Sequence, residues 1–244
     1  FDISKLKIIF ILVNSLICYK YADYILVSSK KIFFHIKKKF RIKKKISILE
    51  NFIDLEVFRP KAIQRNKNQV LMVSRVTPQK NMELLINALS GTNMLLLHAG
   101  FISKKKKSEI TLLAKEKKTK LKLLGSIKNT KLSHYYNTSG AYVICSKIEG
   151  NPKSLLEAMA CKCPVVGTNV EGINDIINDN KNGLLCSENV LSLKKLIIKL
   201  LNNKRLQKKI TNNALHLIKK NNSLIQFIKR EKKIIKKYAK IKKI

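Results

Sequence analysis

Two carboxylates, Glu149 and Glu157, stand eight residues apart in a stretch that could do chemistry. Asn151, between them, is typical of a helix N-cap, because its side-chain oxygen can accept a hydrogen bond from a free amide of the first turn. Pro152 then falls at the first helical position, where its missing N–H costs nothing. The sequence therefore predicts Glu149 in the loop before a helix and Glu157 roughly 8 Å along the helix axis. This spacing argues against one shared proton-transfer site.

Two cations in another loop complement these carboxylates. Arg75 and Lys80 follow an apolar strand, and both could reach a diphosphate, the first as a planar fork and the second as a point charge. A helix N-terminus over residues 151–154 would add free amides that suit anions or sugar oxygens. Glu157 would repel phosphate, but its two oxygens match the two hydroxyl donors of a ribose, and Glu149 could bind a hexose in the same way. Together these groups describe a nucleotide-sugar pocket.

Each feature also has a simpler explanation. A glutamate such as Glu157 near a helix start is commonly a favourable partner of the helix dipole. Arg75 and Lys80 could be solvated loop charges. Residue types and spacing alone thus indicate an α/β domain with a crevice that accepts anions.

The elements that must position these residues alternate between strands and helices. The strands are apolar along their whole length, which is typical of a parallel sheet covered on both faces. The sequence therefore predicts an α/β fold with a doubly wound parallel sheet over about residues 60–220, with ligands outside the carboxyl ends of the strands. Within it, we expect a polar linker at 64–69 and a helix at 173–178. Before it, we expect a helix over 8–18, a strand over 22–28, a helix over 30–39 and a strand over 45–49.

The formal net charge of +36 invites a nucleic-acid or membrane interpretation. Only six of the 51 basic residues are arginine, and the lysines are scattered through every segment. Nucleic-acid readers concentrate arginine and interleave aromatic side chains for base stacking. The composition therefore disfavours a nucleic-acid site, while attraction to an anionic membrane surface stays open.

The five cysteines form no C-x-x-C pair, so we expect buried free thiols in a reducing cytosol. The four histidines match no metal-ligand spacing. The apolar run Ile8–Val13 is too short to span a bilayer. Because the chain begins with Phe1, we expect a fragment or a processed product.

The segment Glu149–Cys161, followed by Pro164–Thr168, resembles the E-x7-E signature of retaining glycosyltransferases with the GT-B fold. The family it resembles is glycosyltransferase family 4, the glycosyl transferases group 1 domain. Further blocks match in order: Ala22–Ser28, Asn51–Pro60, Val73-Ser74-Arg75 with Lys80-Asn81, Leu96–Gly100, Leu123–Gly125, Gly172 with Asp175–Ile177, and Asn182–Leu185. Lys162 and Glu171 stand where the family often has glycine, and Asp175 replaces a common glutamate.

The resemblance implies roles for the site residues. Arg75 and Lys80 would bind the donor diphosphate and stabilise the leaving nucleotide diphosphate. Glu149 would contact the donor hexose and complete the catalytic set, and Glu157 would bind the ribose hydroxyls. The full expected donor-binding set is Ser74, Arg75, Lys80, Glu149, Gly150, Asn151, Pro152, Lys153, Ser154, Leu155 and Glu157. No cofactor or obligatory metal ion is implied, because the cations take the role that a divalent ion plays elsewhere.

The resemblance also implies a domain plan. Residues 1–50 would be a remnant of the N-terminal GT-B domain, 51–68 the interdomain linker, 69–221 the Rossmann-like nucleotide-sugar-binding domain, and 222–244 a C-terminal helix returning toward the N-terminal domain. That helix is expected to expose Leu224, Ile225 and Ile228 in this chain.

The expected function is the donor-binding part of a retaining hexosyltransferase of polysaccharide biosynthesis. The donor would be a UDP- or GDP-sugar and the acceptor a glycan or lipid-linked sugar. We expect a cytoplasmic location, with peripheral contact at the inner membrane face, and a separate N-terminal domain chain could complete the enzyme. The alternatives are a basic module that binds nucleic acid or an anionic membrane, and an inactive truncated glycosyltransferase.

Overall fold

The computed structural model describes residues 14–39 and 45–242. The chain divides into two compact units, one formed by Phe1–Glu50 with Phe227–Ile244 and the other by Asn51–Gln226. The domain boundaries expected from the sequence stay predictions. Within the described residues, no helix is both long and apolar enough to cross a membrane.

The described part of the smaller unit contains a two-stranded parallel sheet. Buried Ile25, Val27 and Ile36 form its apolar cluster. Its elements are helix α1 (residues 14–21), strand β1 (Tyr24–Val27), helix α2 (Lys30–Lys39) and strand β2 (Lys45–Ile48). Residues 8–13 of the helix expected over 8–18 lie outside the described residues.

The larger unit is built on a six-stranded parallel sheet. Its strands are β3 (Asn66–Val73), β4 (Leu95–Ala99), β5 (Lys120–Gly125), β6 (Ser139–Ile144), β7 (Val165–Thr168) and β8 (Leu184–Cys186). Its helices are α3 (Met82–Ala88), α4 (Lys104–Glu116), α5 (Asn129–Thr138), α6 (Lys153–Ala160), α7 (Val190–Asn202), α8 (Lys204–Asn221) and the first residues of α9 (Leu224–Lys242), and a 3₁₀ turn covers Pro78–Lys80.

Successive residues of the central strands point to opposite faces of the sheet. Val70 and Met72 of β3 join an apolar layer shared with α3, α4 and α7, whereas Leu71 joins a second layer shared with α5, α6 and α8. On β6, Val143 belongs to the first layer and Tyr142 to the second. The sheet is therefore covered on both faces, and the doubly wound α/β prediction is confirmed.

The strand order β5-β4-β3-β6-β7-β8 reverses direction between β3 and β6. Chain order runs outward from β3 to one edge and then outward from β6 to the other. At such a switch point, the loops after the two central strands diverge and leave a crevice for ligands. The loop after β3 carries Arg75 and Lys80, and the loop after β6 carries Glu149. The sheet order thus brings the predicted cations and the first carboxylate to one place.

Three local predictions were wrong. Residues 64–69 are not wholly a linker, because β3 begins at Asn66, whose backbone pairs with Ser139 of β6 although its side chain is exposed. Residues 173–176 form turns and 177–178 are irregular, instead of the predicted helix, and the Asn182 side chain binds the amide of Asn178 and the carbonyl of Ile176. One thiol, Cys18, is exposed on α1, whereas the other four cysteines are buried and free as expected.

Candidate functional site

The two loops at the switch point are joined by hydrogen bonds. The Lys147 amide donates to the Gln79 carbonyl at 2.9 Å, and the Gln79 side chain donates to the Ile148 carbonyl at 2.8 Å. The Cys145 thiol donates to the Asn81 carbonyl at 3.1 Å. These contacts, one between backbone groups and two from side chains to backbone, hold the 3₁₀ turn of the first loop against the start of the second and so fix the cationic loop relative to the Glu149 loop.

Lys80 and Glu149 form an ion pair across these loops. Lys80 Nζ lies 2.5 Å from Glu149 Oε1, and the Ser146 hydroxyl donates to the same oxygen at 2.6 Å. The Glu149 side chain is only 9% exposed. Among the described residues, its other oxygen, Oε2, accepts no hydrogen bond. The carboxylate is therefore held at one oxygen and can accept a ligand hydroxyl at the other.

The backbone of Glu149 is fixed by the loop that follows β7. Its amide donates to the Glu171 carbonyl at 3.1 Å. Gly172 has a φ of +84°, and a Cβ on it would lie 2.3 Å from the Glu149 carbonyl oxygen. Only glycine allows this approach. The glycine that the family pattern has at position 172 is therefore needed for steric reasons, because it lets this loop pack against the backbone of Glu149.

Arg75 is exposed at the mouth of the crevice and has no hydrogen bond or ion pair within the described residues. Its loop is nevertheless anchored, because the Ser74 amide donates to the Ala99 carbonyl and the Val76 amide to the Phe101 carbonyl, both at 3.0 Å. An exposed guanidinium on an anchored backbone can bind an anion without first breaking a protein contact.

Beneath this loop lies His98, which sequence reasoning missed. Its side chain is fully buried, and Nε2 lies 2.9 Å from the Ser74 carbonyl oxygen. Because that oxygen can only accept, Nε2 must carry the proton. Burial lowers the pKa of His98, although the Ser74 hydrogen bond acts in the opposite direction. Within the described residues, His98 Nδ1 and the Ser74 hydroxyl are buried without a partner.

The structure corrects the start of the helix that carries Glu157. Helix α6 begins at Lys153 with Pro152 as its N-cap, and no side chain in the described part of the protein caps it. Asn151 Oδ1 instead accepts from the Asn51 amide at 3.1 Å, while Asn51 Nδ2 donates to the Asn151 carbonyl at 2.7 Å. A tertiary pairing has replaced the predicted local cap. The Leu155 amide donates to the Pro152 carbonyl at 3.1 Å, so within the described residues the amides of Lys153 and Ser154 are the free donors of this helix start.

The neighbouring predicted residues have different environments. The Leu155 side chain is fully buried in the core, so it is not available to contact a ligand at the helix start. Lys153 is exposed, with Nζ 5.6 Å from the centre of the Phe52 ring. The Ser154 hydroxyl accepts from the Tyr142 hydroxyl at 2.8 Å, and Gly150 is half-buried. A ligand at this helix would meet backbone amides, Lys153 and Ser154.

Glu157 is the fifth residue of α6 and is 5% exposed. The Tyr136 hydroxyl donates to its Oε2 at 3.1 Å. Burial raises the pKa of Glu157 to about 7, although the Tyr136 hydrogen bond and the positive charge of Lys153 act in the opposite direction. Glu149 and Glu157 thus have separate partners. Sequence reasoning missed Tyr136, because nothing local links it to a residue 21 positions later.

No group of three or more His, Cys, Asp or Glu side chains in the described ranges, 14–39 and 45–242, is arranged to hold a metal ion. Among the described residues, the first loop contributes the cations Arg75 and Lys80, the second loop contributes the carboxylate Glu149, and α6 contributes Lys153 at its start and Glu157 within it.

Residues 54–217 match the family described as glycosyl transferases group 1. The chain belongs to this family. An uncharacterized glycosyltransferase of Methanocaldococcus jannaschii is 30% identical over 145 residues, which cover 55% of this chain and 38% of that protein. This glycosyltransferase chain therefore spans well under half the length of that relative.

Solved glycosyltransferases share its fold. Sucrose-phosphate synthase from Thermosynechococcus elongatus superposes with a TM-score of 0.84 at 19% identity, over 93% of this chain and 61% of that one. Anabaena HepE in complex with UDP-glucose superposes with a TM-score of 0.79 at 16% identity, over 90% and 65% of the two chains. At these identities the likeness concerns the fold alone.

Proposed function

We propose that this chain is the donor-binding part of a retaining glycosyltransferase of family 4, equivalent to the C-terminal half of a GT-B enzyme. It would hold a nucleotide-diphospho-sugar while the hexose passes to a glycan or lipid-linked acceptor. Membership of the glycosyl transferases group 1 family supports the transferase class. The crystal structure of Anabaena HepE with UDP-glucose gives a donor bound on the same fold.

The observation that carries the proposal is the ion pair of Lys80 and Glu149, which joins the loops after the two central strands at the switch point. Lys80 lies against Glu149, Arg75 is exposed and unpaired among the described residues, and Glu157 lies inside α6 behind the helix start. A nucleotide sugar has its diphosphate between its ribose and its hexose. Cations and free helix amides suit the diphosphate, while Glu157 and Glu149 suit the ribose and hexose hydroxyls.

The reaction would need no metal ion or other cofactor. When the bond from the sugar to the diphosphate breaks, negative charge develops on the leaving phosphate. Fixed positive groups stabilise this charge most where the backbone already holds them in place. Arg75 on its anchored loop and Lys80 beside Glu149 would serve this purpose.

In the whole enzyme, the acceptor would determine where the reaction takes place. A glycan or lipid-linked acceptor would place the reaction in polysaccharide biosynthesis at the cytoplasmic face of a membrane, where the lysine-rich surface would face acidic lipids. The acceptor site would lie on a preceding domain, whether in the same or in a separate chain.

Isothermal titration with UDP-glucose and GDP-mannose tests the donor site. We expect one of the two to bind, and Arg75→Ala and Glu157→Ala each to weaken binding at least about tenfold, as expected for losing hydrogen bonds to charged groups. Arg205→Ala is the matched control, because Arg205 is an exposed arginine of α8, and it should leave binding unchanged. The basic-module alternative would be favoured if the chain bound no nucleotide sugar but bound DNA or anionic vesicles in a salt-dependent way. Arg75→Ala and Glu157→Ala should then leave that binding unchanged.

A further inference from the structure

Tyr136 is a tyrosine whose whole side chain, hydroxyl included, is buried in the core. Its hydroxyl donates to Oε2 of Glu157. A buried hydroxyl that bonds to a buried carboxylate fixes the orientation of that carboxylate, because any rotation breaks the bond in a place where water cannot replace it.

The ring of Tyr136 is held from two sides. It meets the ring of Phe58 edge-on with centroids 6.0 Å apart, and the ring of Tyr142 with centroids 5.7 Å apart. All three rings are buried. Packed aromatic rings of this kind have little freedom to move. The position of the hydroxyl is therefore set by the core and not by the carboxylate.

The backbone of Tyr136 is tied to the helix that carries Glu157. Arg65 Nη1 donates to the Tyr136 carbonyl at 2.5 Å and to the Ser139 carbonyl at 3.1 Å, while Nη2 donates to the Cys161 carbonyl at 2.8 Å. Cys161 is the C-cap of α6. One guanidinium thus joins the end of α5 to the end of α6, which keeps the Tyr136 hydroxyl in register with Glu157.

The contact leaves the two oxygens of Glu157 unequal. Oε2 accepts from Tyr136, whereas Oε1 has no hydrogen bond within the described residues. Burial also raises the pKa of Tyr136 well above its usual value, so its hydroxyl keeps its proton and stays a donor. Oε1 is therefore the oxygen left to accept a hydroxyl from a ligand.

We propose that Tyr136 is a positioning residue that orients Glu157 so that Oε1 accepts a hydrogen bond from the 2′-hydroxyl of the donor ribose. This inference rests on the proposed function, and it adds a residue that fixes the choice between ribose and deoxyribose. A site built to accept a hydroxyl discriminates against an analogue that lacks it, and discrimination falls when the acceptor can rotate.

The test compares UDP with 2′-deoxy-UDP, and GDP with 2′-deoxy-GDP, by isothermal titration. We expect the unaltered chain to bind one ribonucleotide about tenfold more tightly than its deoxy form. Tyr136→Phe removes only the hydroxyl. It should reduce this ratio to about twofold by weakening ribonucleotide binding, while affinity for the deoxynucleotide stays within about twofold.

Tyr142→Phe is the matched control. Tyr142 is also fully buried and also donates through its hydroxyl, but to Ser154 and not to Glu157. It should leave the ratio within about twofold of the unaltered chain. In a Glu157→Ala background, Tyr136→Phe should have no further effect on the ratio, because the residue it positions is gone.

The outcomes separate the two proposals. Suppose that ribonucleotide binding depends on Arg75 but that Tyr136→Phe weakens binding of the ribonucleotide and the deoxynucleotide equally. That result would overturn the positioning role of Tyr136 and would leave the donor site intact. The same would follow if Tyr136→Phe still lowered the ratio in the Glu157→Ala background. Absence of binding to all four nucleotides would remove the proposed function and this inference together. Thermal melting of each variant checks that it is folded under the assay conditions.

Discussion

Lys80 Nζ lies 2.5 Å from Glu149 Oε1 although the two residues are 69 positions apart. The cation that would bind the donor diphosphate therefore neutralises, in the free chain, the carboxylate that would bind the hexose. Glu149 is largely buried and Lys80 is partly exposed, so solvent reaches the pair from the Lys80 side. A diphosphate that approached from that side would compete with Glu149 for the ammonium group.

The first prediction concerns the strength of this pair. Lys80→Met should lower the free energy of unfolding by about 1–3 kcal/mol, because Glu149 would stay buried without its cation. Lys80→Met combined with Glu149→Gln should cost less than the sum of the single changes, with a coupling of about 1 kcal/mol. Urea unfolding measures all three. Lys117→Met is the control, since Lys117 pairs with Glu116 on the exposed surface at 2.7 Å, and it should change stability by less than about 0.5 kcal/mol. Strict additivity would show that Lys80 and Glu149 are not coupled.

The second prediction concerns the pH dependence of stability that Glu157 creates. The pKa of Glu157 rises from 4.5 to about 7 on folding. Between these values the folded chain binds a proton that the unfolded chain releases, so this group lowers stability as pH rises through that window. Glu157→Gln removes the titration. The variant should be more stable than the unaltered chain at about pH 8, by on the order of 2 kcal/mol, and the difference should shrink toward zero at about pH 4.5.

Urea unfolding at several pH values checks this, and other titrating groups cancel in the difference between the two proteins. A stability difference for Glu157→Gln that is constant from acid to alkaline pH would contradict the prediction.

The third prediction concerns Gly172, which allows the loop after β7 to approach Glu149. Gly172→Ala should cost several kcal/mol, on the order of 1–2 from the positive φ and the rest from the clash with the Glu149 carbonyl. Gly91→Ala is a matched control, because Gly91 has a φ of +67° but nothing within 4 Å of an added Cβ. Gly91→Ala should lower the free energy of unfolding only by the part that comes from the positive φ, on the order of 1–2 kcal/mol. Denaturant unfolding and UDP-glucose titration measure both variants, and equal losses of stability would show that the approach to Glu149 is not tight.

The fourth prediction concerns His98 under the Arg75 loop. Burial lowers the pKa of His98 below 6.5. The unfolded chain therefore gains a proton that the folded chain resists, and stability falls as pH drops below about 6.5. His98→Gln keeps a donor for the Ser74 carbonyl but cannot titrate. The stability of the unaltered chain relative to this variant should therefore fall as the pH drops below about 6.5, as thermal melting would show.

Local patterns in the sequence were enough to predict the architecture. Continuous apolar strands separated by helices indicate a parallel sheet, because a strand that is buried on both faces is apolar along its whole length. The same patterns place Arg75, Lys80 and Glu149 after strands, and hence at one edge of the sheet. Leu224, Ile225 and Ile228 were expected to be exposed, and their side chains are 41%, 65% and 38% exposed.

Partners across the chain required the tertiary structure. Asn151 was predicted to cap α6 from local spacing, but the amide of Asn51, 100 residues earlier, binds its side chain. Likewise, Tyr136 meets Glu157 only because α5 and α6 pack on the same face of the sheet. A hydrogen bond depends on distances of a few tenths of an ångström, and sequence spacing does not determine such distances between separate elements.

The sequence by itself determined which residue types reach the carboxyl edge of the sheet, because strand and helix periods depend on neighbours a few positions away. Only the tertiary structure decided that β3 lies beside β6, which brings Lys80 to Glu149. It also decided that α5 packs beside α6, which brings Tyr136 to one oxygen of Glu157. The physical reason is that strand order is fixed by how two apolar layers pack around the sheet as a whole, and no single stretch of chain contains that information.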